Sequence, residues 1–436
     1  MRIPEKPPTE QELHNELSHG FRNFNGDPRA LADIVNTEYM HWDELIIDDR
    51  FKKIERKQLW ALVRFLRQFN ARPIKYGDMI LEYCQTPKIE QTLHDLDFRA
   101  GGKYEDEPAS EALQKKYLTN SLMEEAIASS QLEGAATSRA IAKQMLRENR
   151  KPRTQSEKMI VNNYSTMNYI RENTKQDEIL TPDIIKQLHK LITKGTLENE
   201  EYEGAFRTDN EVKVYARDDP VIPIFEPPDH KKIETLIADV CFFANTEPKE
   251  YYLHPIIKAI VLHFMIGYVH AFNDGNGRTA RALFYWYLLS RKYDHFEYIS
   301  VSRVIKDAPG QYARAYLFTE TDNNDITYFV KFNLNALDKA LRLFEDYIRK
   351  TKQENKKIAE TIRKNPNINL RQADILITIN KNARPITIKE MQERYRITYE
   401  TARTDLLELV KQGYLNTNTR GKQFVFIPDK EKCMSG

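Results

Sequence analysis

The chain has 436 residues, 41% of them apolar and 30% charged, with 66 basic residues set against 64 acidic ones. This is enough apolar sequence for a globular core and enough length for roughly two to four domains. The near-neutral balance excludes a generally basic nucleic-acid coat but leaves local patches open. Cys84, Cys241 and Cys433 lie far apart with no CxxC spacing, which argues against a disulfide framework and for a reducing, cytoplasmic setting. Met1 to Lys6 has no apolar core of a secretory signal, and no run of about 18 apolar residues predicts a membrane span. Ten histidines include no pair at zinc-ligand spacing with cysteines.

Residues 1–28 are polar and proline-bearing and read as a loosely held arm. From about 30 to 115 the pattern is mostly helical, with Leu59 to Leu66 a clear amphipathic segment and Tyr39, Trp42 and Phe51 as core residues. Arg99 to Glu107 is turn-rich and suits a boundary. No chemistry is legible in this N-terminal part. Residues 119–147 read as one helix. Within it Ser129 and Glu133 stand four apart and share a face, which by itself describes a solvated acidic face ending near Gly134. Two more helical patterns occupy 156–196, the second with Thr181 as N-cap, Pro182 in first position and His189 as a packing residue.

The helical rhythm breaks over 201–229, where Val212-Lys213-Val214-Tyr215 alternates like a strand and Asp218 to Pro228 brings the chain back. Such an excursion is either a structural hairpin or an edge that holds an extended peptide by main-chain hydrogen bonds. After a helix over 231–246, His254 to Val269 is apolar almost all round and belongs at a domain centre, as does Ala282 to Leu289. Further helices run to about 350, including Asp325 to Leu337, and Tyr347 to Lys364 reads as a charged connecting helix ended by Asn365-Pro366-Asn367. Residues 368–428 give three helices and then a β-hairpin around Thr419 to Lys422, the order of a winged helix-turn-helix. Residues 370–430 hold 11 basic and 7 acidic residues, so a DNA-reading role stands beside a protein-contact or structural one.

Between the two core segments lies His270-Ala271-Phe272-Asn273-Asp274-Gly275-Asn276-Gly277-Arg278-Thr279-Ala280-Arg281. Gly275 and Gly277 let successive N–H groups converge on an anion at the start of a helix. Arg278 and Arg281, three apart, project to one side and suit adjacent phosphates. Asp274 is the loop's only carboxylate, and one carboxylate with phosphate oxygens and waters is a common way to hold Mg²⁺. His270 has the right intrinsic pKa to take a proton from a hydroxyl. Together these parts describe attack on a phosphoanhydride.

The pattern His-x-Phe-x-Asp-Gly-Asn-Gly-Arg-x-x-Arg from His270 to Arg281 resembles the signature motif of the Fic (Fido) family, with Ala271 where proline is common. The resemblance implies a mainly α protein: an all-helical Fic domain with a short β-hairpin flap, a helical N-terminal region and the C-terminal winged helix. The domain boundaries expected are 1–115, 116–345, a connecting helix at 346–367, and 368–430. It implies transfer of AMP from ATP to a Ser, Thr or Tyr hydroxyl of a target protein. His270 would be the general base, Asp274 the Mg²⁺ ligand, and Gly275, Asn276, Gly277, Arg278 and Arg281 the phosphate contacts. Phe272 would anchor the loop, and Val212 to Tyr215 would be the flap that docks the target. Ser129-x-x-x-Glu133-Gly134 resembles the family's inhibitory motif, in which the Glu pairs with the second Arg, here Arg281. The resemblance also leaves AMP removal, another nucleotide donor, self-modification, a homodimer, and a DNA-binding regulator with the Fic domain as nucleotide sensor as alternatives.

Overall fold

The computed structural model describes residues 2–19, 26–101, 111–216, 219–382, 385–395, 397–420 and 423–429. It is mainly helical and falls into two compact units, Met1–Arg342 and Leu343–Gly436.

The first unit begins with α1 (Glu10–His19), α2 (Pro28–Glu38), α3 (Trp42–Ile47) and α4 (Arg56–Gln68). Asp27 caps α2 by accepting from the Arg29 and Ala30 N–H groups, with Pro28 in first position. The arm expected to be loose is therefore partly built in: α1 packs Leu13 into a cluster with Val35, Leu45, Leu59 and Trp60, and Asp43 accepts from the Glu5 N–H at 2.9 Å. Residues 20–25 of that arm lie outside the described residues.

The mostly helical reading of this region also misses a hairpin, β1 (Ala71–Tyr76) and β2 (Met79–Cys84), paired antiparallel around Gly77 at φ +59°. Ile74 and Tyr76 alternate inward on one strand and Leu81 and Tyr83 on the other, a period-2 signal too short to stand out among helices. The hairpin is fastened to the centre of the unit. The Tyr76 hydroxyl donates to the Met265 carbonyl at 3.2 Å, and the Gly77 N–H donates to Asp239 at 3.0 Å. Helix α5 (Pro87–Gly101) follows, so Arg99 to Gly101 are helical, and the rest of the expected boundary, 102–107, lies outside the described residues.

The expected single helix over 119–147 is two: α6 (Glu111–Leu132) and α7 (Arg139–Arg147). Gly134, at φ +91°, turns the chain after α6, and Ser138 caps α7 through the Ile141 N–H. Helices α8 (Gln155–Asn173) and α9 (Pro182–Thr193) come next, α9 capped by Thr181 as expected. A two-stranded excursion, β3 (Val214–Ala216) and β4 (Asp219–Phe225), leads into α10 (Ile233–Asn245), α11 (Pro255–Val269) and α12 (Asn276–Ser290). Helix α11 is buried on nearly every side and α12 on most, so the loop between them is mounted on the centre of the unit. Helices α13 (Val301–Asp307) and α14 (Pro309–Thr321) follow. Glu125 fixes α6 to this framework by accepting from Tyr285 Oη at 2.9 Å, Ser300 Oγ at 3.1 Å and the Ser302 N–H at 2.9 Å.

Helix α15 (Thr327–Lys364) is continuous where two helices, 325–337 and 347–364, were expected. The division between the units falls inside it, at 342/343. The second unit continues with α16 (Leu370–Asn382), β5 (Ile386–Thr387), α17 (Ile388–Tyr395), α18 (Tyr399–Lys411), β6 (Leu415–Arg420) and β7 (Gln423–Pro428). The three strands pair antiparallel in the order β5-β7-β6, which adds one short strand to the three helices and hairpin expected. Its core gathers Ile368, Leu376, Met391, Leu406, Leu409 and Phe426. Among the described residues no helix is long and apolar enough to cross a membrane.

Candidate active site

Helix α11 ends on His270, whose backbone takes the left-handed conformation (φ +47°) and whose N–H still closes on the Ile266 carbonyl at 3.2 Å. A non-glycine residue there is strained, and the local structure holds it. The imidazole Nδ1 lies 2.8 Å from the Gly267 carbonyl. A carbonyl only accepts, so Nδ1 carries the proton and Nε2 keeps its lone pair. Burial pulls the His270 pKa down, and the nearby Arg207 adds to this. The Gly267 hydrogen bond and Glu133 oppose them without cancelling them, and the ring is a neutral base below the ordinary histidine range.

The loop is closed from inside. The Asn276 side chain accepts from the Phe272 N–H at 3.0 Å and donates to the Phe272 carbonyl at 2.7 Å. Asn276 thus spends its amide oxygen and one amide hydrogen on the loop, while its main-chain N–H stands at the open end of α12. Phe272 is wholly buried and stacks on His189, 3.7 Å between centroids and 3° from parallel. His189 Nδ1 accepts from the Gly204 N–H at 2.9 Å, so Nε2 carries the proton and donates to the Asp274 carbonyl at 2.8 Å. Burial lowers the His189 pKa to about 4, which keeps this neutral form in place. Arg207 pins the other side. Its Nε donates to the His270 carbonyl and its N–H to the Ala271 carbonyl, both at 2.9 Å, and Nη1 reaches the Asp209 carbonyl at 2.6 Å.

Both arginines of the loop are buried. Arg278 has Nη2 3.6 Å from Asp274 Oδ1 and a long 3.4 Å contact from Nη1 to the Ile192 carbonyl, while its Nε is buried with no partner. Asn273 Oδ1 is buried and unpartnered too. A buried guanidinium with spare donors is costly unless an anion completes it. Arg281 is by contrast held by α6 and its turn: Nε donates to Ser129 Oγ at 2.9 Å, and Nη2 donates to the Ser129 carbonyl at 3.0 Å and to Glu133 Oε1 at 2.8 Å. Burial pulls the Glu133 carboxyl up, but the charge and hydrogen bond of Arg281, with Arg278 and His270 behind them, outweigh it and hold the group below the usual carboxylate value. Glu133 lies directly over the first turn of α12: a Cβ added at Gly277 would stand 2.3 Å from Glu133 Oε1. The glycine is needed for this approach, which sets the carboxylate against the first turn of α12.

A cavity of about 210 Å³ opens here, lined by Glu133, His270, Gly277 and Arg281 at one side and by Tyr312, Tyr316, Leu317 and Glu320 of α14 and Val214, Ile224 and Phe225 of the hairpin elsewhere. The strand expected at Val212 to Tyr215 starts later: Val214 and Tyr215 are in β3, whereas Val212 and Lys213 precede it, and Lys213 pairs with Glu226 at 2.9 Å. A larger groove of about 820 Å³, lined among others by Glu38, Tyr39, Arg50, Lys88 and Lys331, holds none of the candidate residues. Among the described residues no group of three or more His, Cys, Asp or Glu could hold a metal ion by itself. Asp274, 61% exposed at its side chain, fits a Mg²⁺ held mostly by phosphate oxygens and water.

The structure thus brings His270, Asp274, Gly275, Asn276, Gly277, Arg278, Arg281, Ser129 and Glu133 together, with Gly134 making the turn that aims Glu133. Sequence reading missed Arg207 altogether and saw His189 only as packing. Both act on main-chain atoms of the loop, for which side-chain patterns give no signal, although the Gly204-to-Arg207 break in the helical rhythm marked the place.

Residues 179–288 match the Fic/DOC family model. A Fic family protein from Desulfovibrio desulfuricans G20 shares the fold with a TM-score of 0.53 and 17% identity, over 80% of this chain and 98% of that one. Fic-1 (residues 134–508) from C. elegans does so with a TM-score of 0.50 and 15% identity, over 79% of this chain and 94% of that one.

Proposed function

We propose that this chain is an auto-inhibited protein adenylyltransferase, which joins AMP from ATP to a Ser, Thr or Tyr hydroxyl of a target protein. The acceptor oxygen attacks the α-phosphorus, its proton passes to Nε2 of His270, and the bond to the bridging oxygen of the leaving pyrophosphate breaks. The observation that carries this reading is the tautomer of His270: Nδ1 is committed to Gly267, so the free lone pair is on Nε2, in a residue that lines one cavity with Gly277 and Arg281. The N–H groups opening α12, with Gly275 and Gly277, and the spare donors of Arg278 would receive the phosphates, where charge develops as pyrophosphate leaves. Asp274 would hold Mg²⁺, which when bound neutralises phosphate charge. The apolar walls from Tyr312, Tyr316 and Phe225 suit the base, and the cavity is smaller than the roughly 300–1,000 Å³ of drug-sized ligand sites. The β3–β4 hairpin beside it would align the target segment by strand addition.

Inhibition is the second half of the proposal. Glu133 holds Arg281 and overlies Gly277, so ATP and Glu133 compete for one guanidinium and one helix N-terminus. Because Glu133 lines the same cavity as His270, AMP removal with Glu133 positioning water is the alternative, tested by incubation with an AMP-modified protein. The Leu343–Gly436 unit is proposed as a winged helix that reads a partner. The exposed face of α18 mixes Arg403 and Lys411 with Glu400 and Glu408, so DNA binding there is to be tested with and without ATP. Mass spectrometry of Glu133→Gly incubated with Mg²⁺ and mixed nucleotides tests the whole. An AMP adduct is expected. A UMP or phosphocholine adduct would change the donor, and no adduct on the chain or on any added protein would overturn the transferase reading.

A further inference from the structure

Two of the three hydrogen bonds that Arg281 makes to α6 and its turn do not involve Glu133. Both go to Ser129, one to the hydroxyl and one to the carbonyl oxygen. The carbonyl is available for a reason. In a continuing helix it would accept from the N–H four residues on, which is that of Glu133, but the Glu133 N–H turns to Ser130 O at 3.2 Å, and the Gly134 N–H turns to Gln131 O at 3.3 Å. The Ser129 carbonyl is thereby left without its partner four residues on, in the last turn of α6 near the negative end of the helix dipole, and the buried Arg281 guanidinium completes it. Ser129 is 2% exposed and lies within α6, which Glu125 ties to α12 and α13. Glu133 lies beyond the end of α6, on the turn made by Gly134. The two residues of this segment that touch Arg281 are thus of different mechanical kinds, one in the body of an anchored helix and the other on the turn that follows.

From this geometry we infer that Ser129 is a positioning residue for the reaction and not part of the block: it seats Arg281 for the phosphate that replaces Glu133. With the carboxylate gone, Nε and one Nη2 proton stay on Ser129, while Nη1 lies 3.2 Å from where a Cβ of Gly277 would stand, against the first turn of α12. The guanidinium then needs no reorganisation to receive an anionic oxygen. Without the hydroxyl, Arg281 loses the bond that fixes Nε and with it that orientation.

The inference rests on the AMP-transfer reading, and the test separates the two. Steady-state labelling with ATP and Mg²⁺ is measured for wild type, Glu133→Gly, Ser129→Ala and Ser129→Ala/Glu133→Gly. The Glu133→Gly rate alone tests the transferase reading. Within that background, Ser129→Ala is expected to raise KM for ATP about tenfold with a smaller change in kcat, and Ser129→Thr, which keeps the hydroxyl, to restore it. In the presence of Glu133, Ser129→Ala is expected not to activate. Ser130→Ala is the control one residue along, since the Ser130 hydroxyl is buried with no partner. Activation by Ser129→Ala alone, or a double variant with the KM of Glu133→Gly, would overturn the assignment. If truncation to Ala unfolds the chain, the pair Ser129→Val and Ser129→Thr, equal in shape and different in the hydroxyl, decides by the same KM comparison. If Glu133→Gly transfers nothing, ATP affinity of the same variants by calorimetry carries the same expected and contrary outcomes.

Discussion

His189 lies flat against Phe272, and its two ring nitrogens reach in opposite directions to Gly204 and Asp274. One neutral ring thus supports the motif loop from beneath, fixes the carbonyl of the residue proposed to bind Mg²⁺, and ties in the segment that leads to the hairpin. Replacing His189 by Ala removes the stacked face and both bonds from a buried position. A loss of about 2–4 kcal/mol is expected, from roughly 1 kcal/mol per hydrogen bond plus the cavity. Chemical denaturation of the wild type and variant measures it, and a change under about 0.5 kcal/mol would mean that the loop stands without this ring.

Gly267 is a second support for His270, and here the reason is space. A Cβ at this position would meet the Tyr316 hydroxyl at 2.4 Å. Gly267→Ala should cost about 1–3 kcal/mol as an overpacking change. Removing the obstructing oxygen with Tyr316→Phe should recover part of the loss in the double variant. Strict additivity of the two changes in thermal unfolding would show that the contact is not the cause.

How much of this was legible beforehand depends on the kind of atom involved. The helix–loop–helix mount of His270 to Arg281 was legible because two long apolar segments flank one polar cluster. The pairing of Glu133 with Arg281 was legible through the family resemblance only; four-residue spacing from Ser129 gave just a shared face. The break between α6 and α7 was not foreseen, since its local signals, Gly134 and the Ser138 cap, sit in an otherwise helical stretch and neither by itself ends a helix. The β1–β2 hairpin escaped because six-residue strands between helices carry little periodic signal, and its docking on Met265 and Asp239 involves main-chain atoms.

Glu320 gives the cavity a pH response. Burial pushes its carboxyl up to about 8, and the group has no hydrogen-bond or ion-pair partner among the described residues. A carboxyl raised in the folded state stabilises the fold at low pH, and that contribution is lost as pH rises from the unfolded value of about 4.5 through about 8. Glu320→Gln removes the ionisation, so its Tm relative to the wild type should climb across this window and level off above it. Parallel curves from pH 5 to 9 would show that the side chain ionises freely in water.

His270 titrates in the other direction. Burial holds its pKa below the ordinary value of 6.5, so the neutral base persists to lower pH than a free imidazole would. The acidic limb of the kcat/KM profile of Glu133→Gly should therefore fall below pH 6.5. A limb above pH 6.5 would point to a different base, as would transfer that survives His270→Ala with nucleotide still bound.

The central claim is that Glu133 holds the site shut through Arg281. Initial rates of label incorporation from α-phosphate-labelled ATP, compared between wild type, Glu133→Gly and Glu133→Gly/His270→Ala, test it most directly. A charge-assisted bond of this type contributes about 1.5–3 kcal/mol, so Glu133→Gly should label roughly tenfold to a hundredfold faster than the wild type. The double variant should fall to background. A Glu133→Gly rate equal to or below that of the wild type, with the variant folded and binding ATP, would contradict the claim.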